Sequence, residues 1–175
     1  MRTSYISRGL CFLSLILSAS LLSGCFWAYS FTGTNLSAEV KTISIGYIEN
    51  RAPRINPTLS NLVTEQLKDK YTKLTNLTIV DSDADLTITG EITGYENMAL
   101  AVTADEVASK NRLTVSVKIK FVNKITPRES FESKQFSKYQ DYSSTESLDS
   151  VEARLVEEIL KEIIEEIFIA TVANW

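Results

Sequence analysis

The sequence predicts an α+β fold: two helices packed on one face of a mixed, mainly antiparallel sheet of about four strands, a two-layer sandwich. Three observations carry this. Residues 113–121 alternate apolar and polar side chains without a break, which means a strand with one buried and one wet face. Residues 59–74 and 148–168 repeat apolar side chains at three- and four-residue spacing, the pattern of amphipathic helices. The element order β-α-β-β-β-β-α then places both helices on one side of the sheet.

The chain begins with an address. Arg2 and Arg8 make a positive start, and Leu10 to Leu22 form an apolar stretch too short to span a bilayer comfortably. Leu22-Ser23-Gly24-Cys25 follows: a branched apolar residue, two small residues and a cysteine. That is a lipobox, so residues 1–24 are read as a lipoprotein signal peptide and Cys25 as the lipidated residue. An ordinary secretory signal or a short membrane anchor would explain the greasy stretch but not the placement of the cysteine. Cys11 lies inside the discarded segment, so Cys25 is the one cysteine left and no internal disulfide can form. A single acyl chain holds a protein only marginally, whereas the three of a bacterial lipoprotein hold it stably. Phe26 rather than Asp follows Cys25, which argues against inner-membrane retention. The expected location is the outer membrane, lipid-anchored and facing the periplasm.

Residues 25–38 read as the lipidated linker, aromatic-rich over Phe26 to Gly33, and 39–175 as a single domain. Within it, Val40 to Tyr47 is expected as the first strand, ended by a loop at Glu49 to Pro53. Asn56 is a plausible helix cap with Pro57 as the first helical residue. Leu59, Leu62, Val63, Leu67, Tyr71 and Leu74 are then expected on the buried face. Leu77 to Val80 is a short strand. Asp81, Asp83 and Asp85 alternate as in a calcium loop, but the glycine and distal glutamate of that loop are missing, so a turn is expected.

Leu86 to Tyr95 is a strand whose apolar side carries Gly90 and Gly94, pointing to a bulge or close packing against a helix. Met98 to Val102 extend it after a kink, and Thr103 to Lys110 form a polar loop. Leu113 to Val122 is the clearest strand. Its hairpin partner is Glu129 to Tyr139, where Phe131 and Phe136 differ in parity and so require a bulge. Ser143 and Glu146 have capping-box spacing before a last helix over about 147–172. Its stripe of Leu148, Val151, Leu155, Ile159, Ile163 and Ile167 is widened by Val156, Leu160, Ile164 and Phe168. The preferred reading fits this wide stripe between the sheet and the first helix. Otherwise part of it meets another protein, with Ile164, Phe168 and the terminal Trp175 as the expected contacts.

Composition removes several function classes. The 175 residues include no histidine, which takes away the usual triad base and the commonest metal ligand. No glycine-rich phosphate loop is present. The formal net charge is −4, and it becomes −6 once Arg2 and Arg8 are lost, which disfavours nucleic acid as a partner. Acids are plentiful, so a glycosidase-like pair such as Glu91 and Glu96 stays open on residue type alone; acids on solvated faces are the ordinary case. The expectation is no enzyme, no cofactor and no metal.

Charge is unevenly placed. Lys110 to Lys138 holds eight basic and two acidic residues, and Glu146 to Ile167 holds eight acidic and two basic ones. Lys118 and Lys120 share the wet face of the clearest strand, with Arg112, Lys134 and Lys138 expected to extend the patch. Such a stripe beside a membrane suits an anionic amphiphile; it also suits the plain task of keeping an open sheet soluble.

Several short motifs, in order, resemble one family. They are the lipobox, Tyr29 to Gly33, Asn50-Arg51-Ala52-Pro53, Asn56-Pro57, Asn111 to Thr114, Phe136 to Tyr139 and the closing Ala173-Asn174-Trp175. Together they resemble the LptE-like lipopolysaccharide-assembly lipoproteins over nearly the whole mature chain. The resemblance implies two helices on a four-stranded sheet. It also implies a non-enzymatic partner that plugs an LptD-like outer-membrane β-barrel, assists its assembly and binds lipopolysaccharide. The five basic residues above are chosen on charge and are not carried over from that family. The competing expectation is a free-standing periplasmic lipoprotein that carries or senses an anionic lipid, which would need an enclosed apolar pocket.

Overall fold

The computed structural model describes residues 36–54, 56–100 and 109–172. The expected signal peptide, Cys25, the expected aromatic linker and Trp175 lie outside the described residues, as do positions 101–108. The first strand is β1 (Thr42–Ile45), and a short additional strand, β2 (Glu49–Asn50), follows it. Then come α1 (Leu59–Leu74), β3 (Thr78–Ile79), β4 (Leu86–Ala99), β5 (Lys110–Asn123), β6 (Phe131–Ser143) and α2 (Leu148–Val172).

The sheet runs β3-β1-β4-β5-β6, with β2 also paired to β4. The β1 pairings with β3 and β4 are parallel, whereas β4–β5 and β5–β6 are long antiparallel ladders. The fold class is therefore as expected, but the sheet has six strand segments rather than about four. The extra segment is Glu49–Asn50, read from sequence as loop. Its parallel pairing with Glu91 and Ile92 overrides a weak strand propensity.

Between the two segments, Ile45 faces Ile88 and Glu49 faces Glu91, so the stretch from β1 to β2 carries one residue more than β4 does. The bulge would orphan the buried Ile48 N–H. It donates instead to the Thr64 hydroxyl on α1 at 3.1 Å, and that hydroxyl donates to Ser60 C=O. Thr64→Val is expected to lower stability by about 1–3 kcal/mol by leaving this N–H unmet, while Thr64→Ser stays within about 1 kcal/mol. A urea melt distinguishes the two.

The other ladders explain the remaining irregularities. A register shift between Ile92 and Gly94 is the bulge expected in that strand, after which Tyr95 turns inward. Gly90 is crowded by the neighbouring strand rather than by a helix: a Cβ there would lie 2.4 Å from Lys118 C=O and 2.7 Å from Ile119 Cδ1. The bulge between Phe131 and Lys134 is also present, opposite Phe121 and Ile119.

Leu113, Val115, Val117, Ile119 and Phe121 are all fully buried, as their alternation requires. They face α2, whose stripe from Val151 to Val172 is buried along its length. The wide stripe thus fits within the domain. The two helices run side by side in the same direction. Asn56, before α1, meets Glu152 near the start of α2, and Tyr71 packs edge-on against Phe168 at 5.2 Å near their ends.

Three local expectations are corrected. α1 starts at Leu59, not Pro57, and Thr58 stands at its cap; the Asn56 side chain accepts from the Thr58 N–H and hydroxyl, so it shapes the approach to the helix. Leu62 and Leu74 are 39% and 44% exposed, because Leu62 projects from the far side of α1 and Leu74 sits in its last turn. Ser143 and Glu146 do not make a capping box. Ser143 still belongs to β6, and its hydroxyl accepts from the Thr145 N–H.

The aspartate-rich turn is present, but Asp85 bonds across the fold. Its Oδ2 accepts from the N–H groups of Lys41 and Thr42 and from the Thr42 hydroxyl, each at 2.9 Å. The Lys41 bond, then those from Thr42, hold its carboxyl below the usual range. Because the folded value is depressed, the stabilisation is complete above the ordinary carboxylate pKa and is lost as pH falls through the lower, folded one.

Candidate functional site

Side chains of the outer sheet face come from alternate residues of β4, β5 and β6, and no helix covers it among the described residues. The expected basic patch falls partly here. Arg112, Lys118 and Lys120 lie on this face, with Lys118 opposite Glu91 and Lys120 opposite Thr89. Lys134 and Lys138 do not. They share parity with buried Phe136 and are paired with Ile119 and Val115, so they turn toward the helix layer. The bulge after Phe131 puts both phenylalanines on the helix side of the sheet and carries these lysines to that side with them.

Most of the cations are already matched. Arg112 holds Asp141 in a two-pronged pair, Nε to Oδ1 at 2.7 Å and Nη2 to Oδ2 at 2.9 Å, and lies 3.6 Å over the Tyr139 ring. That hydrogen-bonded guanidinium holds the Asp141 carboxyl below its ordinary pKa. Lys120 bonds Glu132 at 2.7 Å, and Lys138 bonds Glu166 at 2.5 Å. Lys134 lies near the rings of Phe131 and Phe136. Of the five, Lys118 alone makes no ion pair or ring contact among the described residues.

Lys118 borders a shallow depression of about 330 Å³, floored by Gly90 and rimmed by Arg51, Lys120, Glu49, Glu91 and Glu132. Three cations and three carboxylates balance there. The face can therefore hold a polar partner, but it is not the one-sided basic patch that residue counts suggest.

Two of the partner contacts expected near the end of α2 are buried within the domain. Ile164 and Phe168 are only 4% and 6% exposed, because the stripe is used up between the sheet and α1. Neither offers a partner an appreciable surface in this arrangement. The most exposed apolar side chains are Tyr47, Met98 and Tyr139, each about half exposed or more, and on α2 itself Ile169 is 41% exposed.

Sequence reasoning missed a polar network at the end of the domain. Asn50 donates to Asn56 C=O and accepts from Ala52 N–H. Asn56 and the Tyr95 hydroxyl both donate to Glu152 Oε1. Burial, then the Glu152 bond, pushes the Tyr95 hydroxyl up to about 12. The two asparagines of the Asn50-Arg51-Ala52-Pro53 and Asn56-Pro57 motifs thus tie the loop to α2. The signal available in sequence was the recurrence of asparagine beside proline in a segment with no apolar period.

A mixed sheet with two parallel helices on one side and an open, charge-balanced face on the other defines a small two-layer α+β module with a broad surface available for binding. The family model described as "LptE: Lipopolysaccharide-assembly" matches residues 40–171, and the chain belongs to that family. Solved structures agree on the fold. The hypothetical protein CT253 from Chlamydia trachomatis is 9% identical with a TM-score of 0.52, covering 77% of this chain and 99% of that one. Protein XCC0632 from Xanthomonas campestris is 14% identical with a TM-score of 0.51, covering 74% and 84%. Lipoprotein B from Nitrosomonas europaea is 12% identical with a TM-score of 0.50, covering 73% and 79%. No curated protein sequence matches the chain.

Proposed function

We propose that this LptE-family chain is a lipid-anchored protein of the outer membrane that plugs a lipopolysaccharide-inserting β-barrel, helps it assemble and binds lipopolysaccharide. It works by binding, not by catalysis. The observation that carries this reading is the family match over residues 40–171 lying just downstream of the lipobox at Cys25. The open sheet face supports it, since a plug presents outer surface to a wall. The rival carrier reading needs an enclosed apolar cavity. Three concavities among the described residues open to solvent, and charged side chains make up most of the lining of each.

Depleting the chain from its host tests the reading. Folded barrel and surface lipopolysaccharide should fall together; normal levels of both would contradict it. The contact with lipopolysaccharide has its own test. Lys118→Glu with Lys120→Glu is expected to weaken binding about 5- to 10-fold at low salt, since it turns a balanced rim acidic. Both side chains are exposed, so the thermal midpoint should stay within a few degrees. Unchanged binding would remove this face from lipopolysaccharide recognition.

A further inference from the structure

The sheet ends on β6, which has one strand neighbour, β5. The phase of that ladder fixes which backbone groups are used. Ser144 N–H bonds Ser109 C=O, so bonded pairs recur at every second residue from there. With the register Leu113 to Gln140, Val115 to Lys138 and Val117 to Phe136, the even-numbered residues of β6 are spent on β5. Gln135, Ser137, Tyr139 and Asp141 turn their N–H and C=O groups outward. All four are exposed, and no other bond to their backbones exists among the described residues. Free edges are commonly guarded by projecting lysines. Here Lys138 is drawn onto Glu166, and Lys134, though exposed, leans toward the rings of Phe131 and Phe136 on the helix side of the sheet rather than along the edge.

A groove of about 540 Å³ runs beside this edge, between β6 and α2. It is lined by Glu158, Glu162, Glu165 and Glu166 against Lys138 and Lys161. Glu162 accepts from the neutral Gln140 amide and shares the field of Lys138 with Glu166, so along the groove four carboxylates face two lysines. A strand laid against β6 would point every second side chain into this groove and the others onto the open face. A second copy of the same edge would set two acidic flanks against each other.

We propose that β6 is a docking edge for an extended polypeptide segment carrying Lys or Arg at alternate positions, taken up by strand addition. The backbone groups of Gln135, Ser137, Tyr139 and Asp141 supply the ladder, and the α2 carboxylates select the side chains. This stands on the sheet edge and not on the lipopolysaccharide reading.

The test uses the full chain in a mild detergent and two fluorescein-labelled heptapeptides, one alternating lysine with threonine and the other glutamate with threonine. By anisotropy the lysine peptide should bind at least about tenfold more tightly at low salt, with the gap shrinking in high salt. Amide hydrogen exchange at residues 135, 137, 139 and 141 should slow when it binds. Ser137→Pro removes an outward N–H and leaves the β5 ladder whole, so it should cut binding about tenfold; the exchange pattern of β5 reports that the fold survives. Glu162→Lys should narrow the gap between the peptides without disturbing the edge. Equal binding of both peptides, or unchanged exchange at those four amides, would overturn the proposal.

Discussion

Replacing Gly90 with valine is expected to cost about 3 kcal/mol, lowering the thermal midpoint by about 10 °C. The cause is space. No glycine among the described residues has positive φ, so backbone freedom is not the issue. A Cβ at position 90 would sit 2.4 Å from the Lys118 carbonyl oxygen, a backbone atom held inside the longest ladder of the sheet. It would also sit 2.7 Å from Ile119 Cδ1, which is fully buried. Neither neighbour can retreat without opening the β4–β5 pairing on which both helices rest. Gly46 is the control. Its added Cβ would meet Thr89 Cγ2 at 3.2 Å, the end of an exposed side chain, so Gly46→Ala should cost under about 1 kcal/mol. Denaturant melts of the two variants side by side check this. A Gly90→Val protein within about 0.5 kcal/mol of the parent would mean the strands are not in this register.

The second large effect is expected at Cys25. On the proposed reading, Cys25→Ala removes both the cleavage signal and the atom that takes the lipid. The altered chain should keep residues 1–24, and its amount in the outer-membrane fraction should fall by more than about tenfold. The size follows from the anchor: each buried methylene is worth about 0.8 kcal/mol, so no side-chain contact of the domain replaces three acyl chains. Among the described residues, no helix is long and apolar enough to cross a membrane in their stead. Membrane fractionation with an intact mass of the product reads this out. A chain of mature size in the outer membrane would show that Cys25 is not the anchor.

Periodicity carried most of the fold. The alternation of residues 113–121 located the buried face of β5, and the 148–168 stripe located α2 to within a residue at its start. What periodicity cannot show is a pairing between distant, irregular segments. Glu49–Asn50 has neither the length nor the composition of a strand, and only its alignment with Glu91 and Ile92 makes it one. Thr64 looks like an ordinary polar helix residue until the bulge at Ile48 needs an acceptor.

The candidate site was legible by residue type and not by pairing. Counting charges finds Lys110 to Lys138 basic, but it does not see Glu91 and Asp141 brought alongside from β4 and β6, or Glu132 folded back onto Lys120. Parity could have done better. Phe136, Lys134 and Lys138 are all even-numbered within one strand, so a buried Phe136 already sends both lysines to the helix side.

The central claim is that this module works seated in an outer-membrane β-barrel, and co-purification tests it most directly. Affinity-tagged chain is drawn from detergent-solubilised outer membranes under conditions that keep barrels folded. The account predicts a single large β-barrel protein recovered in near-equal amount, whose gel mobility changes on heating. Recovery of the tagged chain alone, from membranes that contain the barrel, would contradict it.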